Sequence, residues 1–144
     1  MIQYTIGNIF NSPAQTIVNP VNTVGVMGAG LAKQFKDRYP NMFTKYKSAC
    51  DNKLFDVGKL MLIHEQDHMV LLFPTKRHFA YQSQLGYIEA GLKRFAHIYK
   101  EKGIQSIAFP RLGCGLGGLD WEQQVKPIME KYLGSLPITV YIYA

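Results

Sequence analysis

Ile2–Ile6 alternates apolar and polar positions with the period of a half-buried strand and stops at the turn pair Gly7-Asn8. Thr16-Ile17-Val18 is a short β-branched run that ends at Asn19-Pro20. After it, Val24 through Gly30 is rich in glycine, and Leu31, Ala32, Phe35 and Tyr39 follow at helical spacing. The order is therefore strand, glycine-rich loop, helix. Pro40 ends that helix. Asn41 is placed to cap a second one running to Asn52, with Phe43 and Tyr46 inward and Lys45 and Lys47 outward.

Gly58–Ile63 and Met69–Phe73 predict two strands joined by the polar turn His64-Glu65-Gln66-Asp67. The second is apolar without alternation, as suits a central strand covered on both faces. Leu85, Ile88, Leu92, Phe95 and Tyr99 share one face of a helix expected over Ser83–Lys102, about 18–20 residues long, closed by Gly103. Ile104–Phe109 predicts the next strand, and Pro110 through Leu119 forms a second glycine-rich loop. Asp120 is placed as a cap. Pro127 has no N–H to donate, so it fits the first turn of a helix that follows a short turn at Trp121–Gln124. Ile138–Tyr143 is the last strand. Strands alternating with helices predict a three-layer α/β fold with a mostly parallel sheet.

The chain has 144 residues, 47% of them hydrophobic, which suits one domain spanning residues 1–144 with a substantial core. Cys50 and Cys114 are far apart and form no CxxC pair, which points away from a disulfide framework or a zinc site and towards a reducing compartment. No secretion signal and no membrane-spanning run is legible, so a cytoplasmic protein without a membrane partner is expected. Sixteen Lys and Arg against ten Asp and Glu give a net charge of +6. That excess favours polyanionic partners, although a solvated basic surface has the same composition.

Both glycine-rich loops leave the C-terminal end of a predicted strand and enter a helix, the edge where open α/β sheets bind ligands. Glycine lets backbone N–H groups come close to phosphate oxygens, and two such loops in a small chain point to a diphosphate. The first loop lacks the GK[ST] ending of a P-loop, and Gly25, Gly28 and Gly30 are spaced wrongly for GxGxxG. A binder of a nucleoside diphosphate that is neither kinase nor dehydrogenase is what remains.

Asn19 and Asn22 flank Pro20-Val21 and carry amides suited to sugar hydroxyls, or to the turn itself. Lys76 follows Phe73-Pro74-Thr75 at the same sheet edge, where an amine can act as a base, as a nucleophile or as a phosphate contact. His78 is a secondary acid–base candidate or an exposed loop histidine. Cys114 is a small packed residue rather than a nucleophile, since no base is placed beside it. His64, His68 and His97 have no partners at ligand spacing, and neither a metal nor a cofactor is assigned.

Thr16-Ile-Val-Asn-Pro-Val-Asn-Thr-Val-Gly-Val-Met-Gly-Ala-Gly-Leu-Ala-Lys-Gln-Phe resembles the first signature of macrodomains, and Pro110-Arg-Leu-Gly-Cys-Gly-Leu-Gly-Gly-Leu-Asp-Trp the second. The resemblance spans essentially the whole chain and implies a macrodomain with a mixed, mostly parallel sheet that binds ADP-ribose. Phe73-Pro74-Thr75-Lys76-Arg77-His78-Phe79 and Tyr87-Ile-Glu-Ala-Gly-Leu resemble the branch of DNA ADP-ribosyl glycohydrolase antitoxins and, more distantly, the human terminal ADP-ribose glycohydrolase.

By that resemblance Lys76 and Asn22 are catalytic, with Asn22 at the distal ribose and Thr75 beside the ligand. Asn8 and Ile9 lie beside the adenine, with Asn19 also at the ligand. Val24, Gly25, Val26, Met27, Gly28 and Gly30 run along the diphosphate and distal ribose. Gly113, Cys114, Gly115, Leu116, Gly117, Gly118 and Leu119 form the second phosphate loop. The human-type enzymes carry an aspartate where this chain has Gly117. The implied activity is removal of ADP-ribose from thymine in single-stranded DNA, with an ADP-ribosyltransferase toxin as partner. The alternatives are a non-catalytic ADP-ribose reader, or a hydrolase acting on protein ADP-ribosyl-carboxylate or ADP-ribose phosphate.

Overall fold

A computed structural model describes residues 1–144. Six strands form one sheet: β1 (Ile2–Thr5), β2 (Thr16–Val21), β3 (Met61–His64), β4 (Met69–Pro74), β5 (Ser106–Pro110) and β6 (Thr139–Tyr143). Their spatial order is β1-β6-β5-β2-β4-β3, and every neighbouring pair is parallel except β3 with β4. The sheet is thus mixed and mostly parallel, as expected. Four α-helices pack on it: α1 (Gly30–Arg38), α2 (Pro40–Asp51), α3 (Leu85–Ile98) and α4 (Lys126–Leu133).

The non-alternating apolar run of β4 is explained by burial on both faces. Leu71 and Phe73 enter a cluster of 17 buried residues with Ile88, Leu92 and Phe95 of α3 and Met129 of α4. Val70 and Leu72 enter one of 16 with Phe35 of α1 and Met42 and Tyr46 of α2. The near-equal size of the two clusters makes the sheet the middle of three layers.

Several boundaries depart from the sequence reading for local reasons. β2 continues through Asn19 and Pro20 to Val21. Val21 turns its carbonyl to β4, where it accepts from Thr75 N at 2.8 Å, so Pro20 faces its missing N–H towards β5. On that side pairing has already stopped at Ile17–Ala108, and no donor is needed. Helix α2 starts at Pro40 rather than behind an Asn41 cap, because proline's fixed φ suits the first helical position. Its inward face is Met42, Tyr46 and Cys50, while Phe43 is only half-buried. β3 begins at Met61, since Gly58 sits in a turn at φ +82°.

Helix α3 is shorter than its apolar pattern suggests. Gln84 is extended, and Ser83 N donates to Gly117 O at 3.0 Å, which ties the chain before α3 to the second glycine loop. An element with no periodic signal is the 3₁₀ turn Ile9–Asn11, capped by Asn8 Oδ1 accepting from Phe10 N. A π-type turn over Trp121–Val125 precedes α4, with Pro127 in the first turn of that helix as expected. No helix is long and apolar enough to cross a membrane.

Helix α3 approaches β4 closely because Gly91 has no side chain: an added Cβ would land in the Phe73 ring. That ring cannot swing away, being edge-on to Phe109 at 6.2 Å, which is itself edge-on to Phe95 at 5.6 Å. Gly91→Ala is expected to destabilise the protein by about 1–3 kcal/mol through overpacking, measured as a lower urea midpoint at unchanged slope.

Candidate functional site

β2 and β5 pair over only two residues, Thr16 with Ile107 and Ile17 with Ala108, and beyond them the strands part. The chain leaves β2 towards β4 and leaves β5 towards β6, so the strand order reverses at this junction. Such a switch point opens a crevice at the carboxyl ends of the strands. Here it is a cleft of about 600 Å³, whose walls are the two glycine-rich loops and the segment after β4.

The first wall runs from Asn22 through Val26, Met27, Gly28, Ala29 and Gly30 into α1. Ala29 supplies no side-chain cap and the first turn holds no acid, so the free N–H groups at the start of α1 lie along the cleft. Gly30 enters the helix at φ +59°, which a side chain would strain. Leu116 of the second loop reaches across to it: a Cβ on Gly30 would stand 3.4 Å from Leu116 Cδ1.

The Asn22 amide organises this wall. Its Oδ1 accepts from Val24 N at 3.0 Å and from the Tyr46 hydroxyl at 2.6 Å, and its Nδ2 donates to Val26 O at 2.8 Å. One amide hydrogen remains for a ligand. Tyr46 is fully buried, and burial pushes its hydroxyl pKa well up, so the group stays a donor. The helical spacing gives Tyr46 only as an inward aromatic; nothing in it shows that its hydroxyl meets an amide on another element.

The second wall contributes Pro110, Arg111, Gly113, Gly115, Leu116 and Gly117. A side chain at Gly117 would collide with the Gly113 carbonyl and Ser83 Oγ, so an aspartate at this position has no room. Asp120 does not replace it, because its carboxylate caps the following turn, accepting from Gln123 N at 2.7 Å. Burial pushes the Cys114 thiol up to about 11, and Sγ rests on Leu112 O at 3.4 Å, a packed group rather than a nucleophile.

Thr75 and Lys76 form the lip between the walls. Lys76 is half-exposed, and Nζ donates to Phe79 O at 3.4 Å. The other sequence candidates fall away from the cleft. Asn19 is fully buried, its Nδ2 against the sulfurs of Met27 and Met42 and its Oδ1 without a partner. Ile9 lies in the core and Asn8 caps its turn; Val24, Gly25, Cys114, Gly118 and Leu119 belong to the loops without lining the cleft. His78 accepts from Ala80 N within its own loop. No three His, Cys, Asp or Glu side chains converge. Arg111 and Phe79 also line the cleft; each lies within one of the signature stretches, which is the only signal the sequence carries for them.

Two outcomes follow. Tyr46→Phe removes the hydroxyl that holds Asn22 and is expected to lower stability by about 1 kcal/mol and to speed hydrogen exchange at the Val24 and Val26 amides. Iodoacetamide at neutral pH should label Cys114 far more slowly than a free thiol, read by intact mass; labelling at the free-thiol rate would contradict the packed, protonated state.

The macro domain family model matches residues 18–128. The DNA ADP-ribosyl glycohydrolase of Mycobacterium tuberculosis is 39% identical over 147 residues, covering 99% of this chain and 42% of the relative. The macrodomain of Thermus aquaticus DarG superposes with a TM-score of 0.94 at 36% identity, covering 100% of this chain and 98% of that one. Thermosipho africanus DarTG, solved in complex with ADP-ribose, superposes at 0.92 with 42% identity over 99% of this chain and 41% of that one. The chain spans about two fifths of the length of the curated relative. The two glycine loops, the switch-point cleft between them and the sheet order that creates it are features of one fold, and the chain belongs to the macro domain family.

Proposed function

We propose that this chain is an ADP-ribosyl glycohydrolase that binds ADP-ribose in the β2–β5 cleft and releases it from an acceptor, thymine in single-stranded DNA. The observation that carries the reading is Lys76: an amine stands on the lip of a cleft whose two other walls are built to hold a diphosphate. A reader would need the walls and not the amine. Support also comes from relatives named as DNA ADP-ribosyl glycohydrolases and from the related structure that contains ADP-ribose.

In this reading the α1 N-terminus and Gly28–Gly30 receive one phosphate and Gly113–Gly117 the other, with Asn22 directing its free N–H at the ribose next to the reacting bond. Holding both ends of the ligand fixes the anomeric carbon below Lys76, so orientation supplies much of the rate. The bond from the anomeric carbon to the base nitrogen breaks, water supplies the hydroxyl that replaces it, and the departing base leaves with a proton. Lys76 acts at that carbon as a base towards water or as the first nucleophile. Asn19 supports the first loop from beneath through its amide on the Met27 sulfur. The positive charge favours a DNA acceptor, and both cysteines being free suits a cytoplasmic setting beside an ADP-ribosyltransferase toxin.

The test incubates wild type and Lys76→Ala with ADP-ribosylated single-stranded DNA, ADP-ribosyl-glutamate protein and ADP-ribose phosphate. Wild type should release ADP-ribose from the DNA. Lys76→Ala should lose at least about 100-fold of that rate, the scale of a positioned acid–base group, while keeping its ADP-ribose affinity by calorimetry. Binding without release from DNA by the wild type would establish a reader or a different acceptor. Borohydride trapping of a covalent Lys76 adduct separates nucleophile from base.

A further inference from the structure

The segment from Lys76 to Gln84 carries more exposed aromatic surface than the cleft needs. Phe79 is 53% and Tyr81 66% exposed, and neither belongs to the two core clusters. Between them in space lies His78, stacked on Phe79 with ring centroids 4.2 Å apart and 28° between planes, and 5.0 Å from the Tyr81 ring. The trio is held in place by its own backbone. His78 Nδ1 accepts from Ala80 N at 3.0 Å, Tyr81 N donates to His78 O at 3.1 Å, and Thr23 Oγ1 donates to Arg77 O at 3.0 Å. Ser83 anchors the far end on Gly117 O.

These rings are thus fixed in water rather than folded into the core, which an isolated apolar patch would not favour. Their setting is cationic. Lys76–Gln84 contains no acidic residue, and Arg111 is exposed on the facing wall of the cleft. Arg77 lies over the Tyr87 ring at 5.2 Å and meets Asp56 at 3.4 Å, an ion pair with both partners more than half exposed and so easily exchanged for a phosphate. Flat apolar faces interleaved with cations are what an unpaired nucleic-acid strand requires: the rings stack on bases of any sequence and the cations follow the backbone.

We propose that His78, Phe79 and Tyr81 form a stacking platform for an unpaired base neighbouring the ADP-ribosylated one, with Arg77 and Arg111 on the flanking phosphates. The proposal rests on the DNA-acceptor reading and adds how the strand is held outside the ADP-ribose cleft. Because Phe79 also lines the cleft and Lys76 Nζ donates to its carbonyl, a base seated on the platform would stand against the reacting centre. An unpaired strand is thereby favoured over a duplex, whose bases offer no free faces.

The probes are an unmodified, thymine-containing oligonucleotide of about 12 nucleotides and an abasic strand of equal length, titrated at low salt by fluorescence anisotropy. Tyr81→Ala should bind the base-bearing strand about tenfold more weakly, the scale of one lost stack, while its binding of the abasic strand stays unchanged. Tyr81→Trp should restore the affinity, and all variants should bind ADP-ribose as wild type does. The platform is refuted by a Tyr81→Ala protein that binds the base-bearing strand like wild type, or that loses the abasic strand equally. A defect confined to ADP-ribosylated protein would likewise overturn it and point to a peptide on that surface. Failure of the glycohydrolase reading has a separate signature, ADP-ribosylated DNA left intact by wild type, whatever Tyr81 does to strand binding.

Discussion

Everything at the site depends on β2 and β5 ceasing to pair after Ile17 and Ala108. Two parallel strands in the middle of a sheet ordinarily stay bonded along their length, and parting them leaves backbone groups to be satisfied elsewhere. Pro20 lowers that demand by having no N–H to lose, and the loops that follow both strands fold back over the gap. The crevice is therefore a consequence of sheet topology, while the chemistry of its walls is a consequence of loop sequence. Asn22 links the two levels, since it stands one residue beyond β2 and its amide dictates the path of the loop up to Val26.

The periodic and chemical signals in the chain were sufficient for the sheet, the four main helices and both glycine loops, because each rests on local patterning. β4 read as central from its unbroken apolar run, and Pro127 correctly marked the start of α4. Pairing and its interruption were not legible. Nothing in Thr16–Val21 announces that one edge stays bonded to β4 while the other lets go of β5. The turn at Ile9–Asn11 is not legible because three residues carry no period, and α3 starts later than its apolar pattern because a tie from Ser83 to Gly117 overrides that pattern there.

Within the site, residue types were more legible than roles. Asn19 and Asn22 look equivalent in sequence, yet one is sealed among methionine sulfurs and the other controls a loop. Cys114 and Gly117 lie in the same glycine-rich stretch, and only packing shows that one is a protonated filler and the other a point where backbone meets backbone. The charge follows the same logic. A net +6 says little by itself, but placing Lys76 and Arg111 around one opening turns a bulk property into a local field.

The tight seat of Gly117 also bears on what this loop could accommodate. A glycine-to-aspartate exchange at that position demands that the Gly113 carbonyl and Ser83 withdraw first, and Ser83 is the anchor that ties the start of α3 to this loop. An acid therefore cannot enter this loop as one side chain; a backbone rearrangement has to accompany it. The disturbance would fall on the start of α3 rather than on Lys76, whose flanks are held separately by Thr75 N on Val21 O and by Thr23 Oγ1 on Arg77 O, so the loop can be closed to an acid without the lip depending on it.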